Sequence, residues 1–379
     1  MKNSWFILWK PTTVSAVPNQ SLFQIRGFLF FYFLLSSLGL VILSSASQAF
    51  STANSLFLKQ LFWFFLSFFA LITAANIPLE WIRRYTSIGY LAGTSLLILV
   101  LIPAVGNEIN GSRRWIGIGG FSIQPSEGMK FFIVLFLSHY LSIHQRRLHC
   151  FKKGYFMPFM WLGIPCGLIL LEPDFGTAFL FGIVGVSLFF LAGMYLRYLV
   201  PTVLIGLVAF SIAVYHNPER LSRVSSFLNP EAYKQDQAYQ LWQGMIAFGV
   251  GGWDGVGLGN GRQQNGFLPE AHTDFVFSVL GEELGFIATI GVVLVFFGFG
   301  LLGIQSLKRC HQLYHFLLIS GSCLFILFQA LINIGVVTGC LPTKGISLPF
   351  ISYGGSNLIV MAALVGLIIN VLKTEQNNS

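Results

Sequence analysis

The chain carries 379 residues, 55% of them hydrophobic and 9% charged, with a mean hydropathy of +0.73. A water-soluble domain carries roughly a quarter charged residues, so the composition excludes a soluble globular enzyme and indicates a membrane protein. The net charge of +8 does not indicate nucleic-acid binding either, because Lys and Arg fall in short clusters between apolar runs, where membrane topology places them.

Residues 1–27 contain Lys2, Lys10 and Arg26 but no cleavable apolar stretch, and read as a retained cytoplasmic tail. Apolar runs that can cross a bilayer as helix follow near 28–48, 58–77, 86–104, 128–144, 156–171, 176–194, 196–215, 275–303, 313–338 and 350–372, and 373–379 form a second cytoplasmic tail. About ten spans put both ends on one side, and the basic residues say which. Arg83, Arg84, Arg146, Arg147, Lys152, Lys153, Arg197, Lys308, Arg309 and Lys373 share that side with the N-terminal tail, whereas short loops opposite carry only Lys59, Arg113, Arg114 and Lys344. By the positive-inside rule both termini are cytoplasmic. The predicted fold is an all-α polytopic bundle over 28–372, one transmembrane domain, with a large outer loop at about 216–273 between spans seven and eight.

Carboxylates distribute the opposite way. Only Glu80 and Glu375 lie on the cytoplasmic side, Glu282 and Glu283 lie in the outer half of the eighth span, and the rest lie in or beside the outer loops. Groups able to act as bases or metal ligands therefore face outward. The five cysteines (Cys150, Cys166, Cys310, Cys323 and Cys340) are scattered, with neither a disulfide framework nor zinc-site spacing.

Individual segments leave alternatives open. In AHTDFVFSVLGEELGF, Thr273 or Asp274 reads as the N-cap of the eighth span, and Asp274 reads equally as a general base at the membrane surface. Glu282 and Glu283, costly at their depth, are either functional groups or partners of a neighbouring helix. Arg113 and Arg114 beside Trp115 suit phosphate oxygens, or any lipid headgroup. Glu127 and Lys130 stand i, i+3 and can pair on one helical face. Asp174, after Pro173, suits a helix start, and Gly354 and Gly355 suit a close approach of two backbones. Arg223, Gln243 and Lys344 are outer polar groups with no individual signal.

Together, GSRRWIGIGGFSIQPSEGMK, EPDFGT, SRVSSFLNP, YQLWQGMIAFGVGG, GLGNGRQQNGFLPEAHTDFVFSVLGEELGF and LPTKGISLPFISYGGSNL resemble the SEDS family of division, elongation and sporulation proteins, in order and spacing, from the first span to the last. LPTKG, PEAHTDF and GLGN look more like the division member. The resemblance implies a ten-helix bundle that polymerises lipid II, the undecaprenyl-diphosphate-linked disaccharide-pentapeptide, on the outer face of the bacterial inner membrane at the division site. Asp274 matches the family's catalytic aspartate. Arg113, Arg114, Lys130, Arg223, Gln243, Lys344 and Ser352 become the expected substrate-binding set, with Glu127, Asp174, Glu282, Glu283, Gly354 and Gly355 in support. Expected partners are lipid II, the growing lipid-linked glycan, a class B penicillin-binding transpeptidase and other division proteins. A divalent cation at the pyrophosphate is the one cofactor the chemistry would admit, with no metal ligands identified. Glu172 and Asn357 depart from the Gln and Ser that the family often carries. Two other functions suit such a chain: a lipid II flippase working through Lys130, Glu282 and Glu283, or a non-catalytic scaffold for the transpeptidase.

Overall fold

The computed structural model describes residues 18–47, 53–109, 112–118, 121–236, 238–263 and 267–377. Residues 1–17 of the expected N-terminal tail lie outside them.

The described residues form twelve α-helices: α1 (Pro18–Ser47), α2 (Ala53–Asn76), α3 (Leu79–Val100), α4 (Pro125–Ile143), α5 (Met157–Leu171), α6 (Phe175–Leu191), α7 (Leu196–Tyr215), α8 (Pro218–Leu228), α9 (Tyr239–Gly251), α10 (Val276–Leu307), α11 (Leu313–Val337) and α12 (Gly355–Asn377). Ten of them coincide with the ten predicted spans, and α8 and α9 are additional helices inside the large outer loop. The runs containing α1, α2, α5, α7, α10, α11 and α12 are long and apolar enough to cross a membrane by length and composition alone. The apolar α6 is shorter, at 17 residues, while α3 and α4 carry the charges of Glu80, Arg83, Arg84, Glu127 and Lys130. The protein is a multi-pass membrane protein.

Burial ranks the helices. The most apolar windows of α11 and α12 are 72% and 78% buried, which makes these two the centre of the bundle, whereas 6% burial puts α7 at its rim. Helix α2 packs along α12, with Gly366 against the Leu71 carbonyl and Gly355 against the Trp63 ring.

Several boundaries differ from those predicted. Helix α1 begins at Pro18 rather than near 28, and α3 at Leu79 rather than 86, so Arg83 and Arg84 belong to its first turns instead of a loop. The last helix begins at Gly355, not 350, because Phe350 sits at φ 67° within a turn.

The first outer loop is not irregular. It forms a three-stranded antiparallel sheet, β1 (Gly106–Ile109), β2 (Ser112–Ile118) and β3 (Phe121–Ile123), in which Asn107 pairs with Trp115 and Ile116 with Ile123. The register shifts between Asn107 and Glu108, which leaves an extra residue in β2 at the two adjacent arginines and bends the strand there.

Helix α10 is broken at Gly285, where φ is 74° and ψ −173°. A break strands backbone groups that hydrocarbon cannot satisfy, so it is tolerated only where protein fills the gap. Here the chain after α9 does so. Val256 and Gly257 donate N–H groups to the Glu282 and Glu283 carbonyls at 3.0 Å, while Gly252 and Trp253 accept from Phe286 and Ile287 at 2.9 and 3.3 Å. A Cβ on Gly285 would stand 2.4 Å from the Gly255 nitrogen and the Trp253 oxygen, at a φ that L-residues avoid. Gly285→Ala is therefore expected to destabilise the fold by at least about 3 kcal/mol. Gly291→Ala, whose Cβ would meet nothing within 4 Å, should be near neutral in the same detergent melt.

Candidate active site

Five segments converge on the outer side of the bundle: β2, the α5–α6 turn, α8, the stretch leading into α10, and the loop between α11 and α12. Asn333 on α11 fastens the last two together, its side-chain amide donating to the Asp274 carbonyl at 2.8 Å and to the Ile346 carbonyl at 2.6 Å. Tyr353 N–H adds a bond to the His272 carbonyl at 2.9 Å.

Asp274 is not a helix cap. The N-cap position of α10 is Phe275, with no side-chain cap bond, and Thr273 spends its hydroxyl on Glu270 at 2.6 Å. Among the described residues the Asp274 carboxyl accepts no hydrogen bond. It lies against Gly345, where an added Cβ would come within 2.7 Å of Oδ2. Burial, then the charges of Glu270 and Asp174, push its pKa from 3.8 to about 7, with Arg114 pulling the other way. A carboxyl that no structural bond employs, poised near neutrality, is the description of an available base.

Arg114 is the cation that acts on Asp274 directly, and Lys344 and Arg220 stand by the neighbouring Phe175 ring. Arg114 donates from Nε to the Glu172 carbonyl at 3.0 Å and from Nη2 to the Pro173 carbonyl at 2.9 Å, and its Nη1 stands 3.8 Å from Asp174. A guanidinium has five N–H groups, so three of them are left for a ligand. Lys344 lies 5.2 Å from the Phe175 ring centre and Arg220 lies 3.4 Å from the same centre. Burial and the charges of Arg223, Arg220 and Arg114 lower the Lys344 pKa to about 8, with Asp174 acting against them. So much positive charge around one partly buried ammonium suits a polyanionic ligand. Asp174 also caps α6, accepting from Thr177 N–H at 3.1 Å and from its hydroxyl at 2.9 Å, as its position before the helix suggested.

Other expected site residues are placed differently. Arg113 pairs with Glu108 at 3.1 Å in solvent and does not join the Arg114 cluster. Lys130 is buried, with all three ammonium protons committed to Glu127 Oε1 and Oε2 at 2.7 and 2.8 Å and to Gln329 at 2.7 Å. It is therefore a support rather than a substrate contact: Gln329 in turn donates at 2.9 Å both to the Ser347 carbonyl and to Asn357, holding the Lys344 loop. Ser352 is buried too, and its hydroxyl accepts from Leu348 N–H at 2.7 Å, closing a turn instead of meeting substrate. Gln243 lines a separate outer cleft with Lys234, Gln235, Tyr239 and Trp242. The expected approach of two backbones is not what these glycines make: a Cβ on Gly355 would meet the Trp63 ring, and one on Gly354 nothing nearer than 3.9 Å.

Glu282 and Glu283 are fully buried and bonded. Glu282 accepts the Arg262 and Gln263 N–H groups at 2.7 and 3.2 Å. Glu283 accepts from the Ser45 hydroxyl and from Gly259 N–H at 3.0 Å. They anchor the large loop to the outer half of α10 and so fix the approach to Asp274. With Lys130 also engaged, the three groups on which a transport path would depend are all occupied by structural bonds.

Sequence reasoning missed Arg220, Phe175 and Asn333. Arg220 and Arg223 stand i, i+3 on α8, a spacing that could have paired them once that helix was recognised. Nothing in the sequence marks Asn333 or Phe175. Among the described residues no three His, Cys, Asp or Glu side chains are grouped to hold a metal ion.

The profile of a family described as "Cell cycle protein" matches residues 26–377. A Coxiella burnetii protein named "Probable peptidoglycan glycosyltransferase FtsW" is 42% identical over 353 residues, covering 90% of this chain and 94% of its own. Its Pseudomonas fluorescens namesake is 39% identical, over 89% and 85%. Among solved structures, a chain from a study of polymerization and crosslinking by a peptidoglycan synthase complex superposes with a TM-score of 0.76 at 28% identity, over 92% of this chain and 98% of that one. Thermus thermophilus RodA, a rod shape determining protein, superposes at 0.68, also with 28% identity, over 92% and 96%.

Proposed function

This chain belongs to the FtsW/RodA/SpoVE family of cell cycle proteins, and from that premise we propose how its outer site does the family's work. The protein is a peptidoglycan glycosyltransferase. The substrate is lipid II, polymerised on the outer face of the bacterial cytoplasmic membrane at the division site. Asp274 removes the proton from the 4-hydroxyl of the acceptor sugar. The hydroxyl oxygen attacks the anomeric carbon of the lipid-linked donor, the bond to the diphosphate breaks, and the configuration inverts from α to β. Undecaprenyl diphosphate leaves with the bonding electron pair.

Diphosphate is a good leaving group, so one base suffices where a glycosidase also needs an acid. Arg114, Lys344, Arg220 and Arg223 stabilise the charge that develops on it. The polyprenyl tails stay in the bilayer, which is why a sugar polymerase is built of apolar helices. A divalent cation could accompany the diphosphate, but the grouping of carboxylates here supplies no cage for one and no step is assigned to it. A class B penicillin-binding transpeptidase is the expected partner, consistent with the pairing of polymerization and crosslinking in the study of the structural relative.

The observation that carries this reading is the Asp274 carboxylate, used by no cap and, among the described residues, by no hydrogen bond, with Arg114 and its remaining N–H groups acting on it. Purified protein with its transpeptidase partner and labelled lipid II tests it. Polymer formation is expected to rise about tenfold per pH unit below the Asp274 pKa of about 7, because the base works deprotonated. It should then decline as Lys344 loses its proton near 8. No polymer at any pH, or a flat profile from about pH 5.5 to 7.5, would overturn the assignment.

A further inference from the structure

Beside the site stands a carboxyl that the reaction above does not use. Glu172 closes α5, its residue is fully buried, and among the described residues neither carboxyl oxygen has a hydrogen-bond partner. Its backbone carbonyl, by contrast, is one of the two that hold Arg114. An ionised carboxylate buried with no donor is untenable, while a neutral acid there costs far less. The charged groups acting on it are Asp174, on the turn into α6, and Arg114, reaching over from β2. Burial and Asp174 raise its pKa to about 8, with Arg114 opposing. Beyond these two stand Asp274, on which Asp174, Arg114 and Glu270 act, and Lys344, on which Asp174, Arg114, Arg220 and Arg223 act.

We propose that Glu172 is a positioning residue, kept as a neutral acid so that Arg114 is held by backbone carbonyls alone and its outward N–H groups remain available to the anionic substrate. Neutral Glu172 leaves the guanidinium two carboxylates to answer, Asp174 at 3.8 Å and the catalytic Asp274. Ionised, it adds a further anion that competes for those N–H groups and repels the diphosphate. The direction follows: as pH rises through about 8, Glu172 loses its proton and substrate affinity falls.

This inference rests on the diphosphate-binding reading, so its test measures binding apart from turnover. The probe is lipid II, a diphosphate diester that does not itself titrate in this range, bound to the full chain in nanodiscs between about pH 6.5 and 9. Glu172→Gln, the isosteric neutral side chain, is expected to match wild type at pH 7. Above pH 8 the wild-type Kd should rise roughly fivefold more than that of the variant, the scale of one added charge near the ligand. Lys344 titrates in both proteins and cancels from the comparison. Parallel Kd profiles would overturn the proposal, even if E172Q shifts the melting temperature as a purely structural change would. Should E172Q not fold, wild type decides by infrared difference spectroscopy. The carbonyl band of a protonated acid must fade between about pH 7.5 and 9, above the Asp274 transition, and its persistence overturns the idea. Failure of the polymerase reading looks different: lipid II binds but is not polymerised at any pH.

Discussion

Asp274→Asn is expected to reduce lipid II polymerisation by at least about a thousandfold, within the range that a general base contributes, and at the same time to raise the thermal stability of the protein. Both effects come from one property. The folded state lifts the Asp274 pKa from 3.8 to about 7, so the native chain binds this proton more tightly than the unfolded chain does. Stability is then lost as pH rises from about 4 to 7, and the deficit is complete above the folded value. Asn cannot ionise and abolishes the deficit, along with the base. The paired readout matters because a substitution that kills by unfolding lowers the melting temperature, whereas this one should raise it at pH 8 and leave it nearly unchanged at pH 4. Wild-type polymerisation rates in the Asn variant would refute the base assignment. A lowered melting temperature at pH 8 would refute the account of its burial.

Arg114→Ala should lower kcat/KM for lipid II by about a hundredfold or more, the scale of removing one donor set from a developing anion. Arg113→Ala should stay within about twofold, since its partner Glu108 and its own side chain are both largely exposed and surface pairs contribute little. Arg114→Lys is expected to restore only part of the loss. An ammonium has three donors, and bonding the Glu172 and Pro173 carbonyls would consume two of them. Equal losses in the two alanine variants would mean that their different partners do not separate the roles of these arginines.

Much of this molecule is legible from residue order. Long apolar runs must be helices in hydrocarbon, because no other open segment satisfies its own backbone there, and each of the ten predicted runs contains a helix. The charge asymmetry of the loops depends only on sequence, so the orientation and the outward placement of the carboxylates followed from it. The Glu127–Lys130 pair and the Asp174 cap are interactions within one helical turn, and both are present as expected.

What the tertiary structure decided is every question in which two distant segments meet. Sequence left Asp274 between cap and base, and the packing removed the cap by placing Phe275 at that position. Sequence treated Arg113 and Arg114 as one platform; the folded sheet gave them different partners, Glu108 for the first and the Glu172 and Pro173 carbonyls for the second. Lys130 and Ser352 shared a motif with substrate-binding expectations, yet the bundle buried both and spent their polar atoms internally. Arg220, Phe175 and Asn333 entered the site solely through folding. Local order fixes which backbone a segment adopts, since hydrogen bonding and hydrophobic transfer act along the chain. Which polar group is consumed by structure and which is left for chemistry depends on partners from other segments, from 58 residues away for Arg114 to 199 for Lys130, and only the packed bundle brings them together.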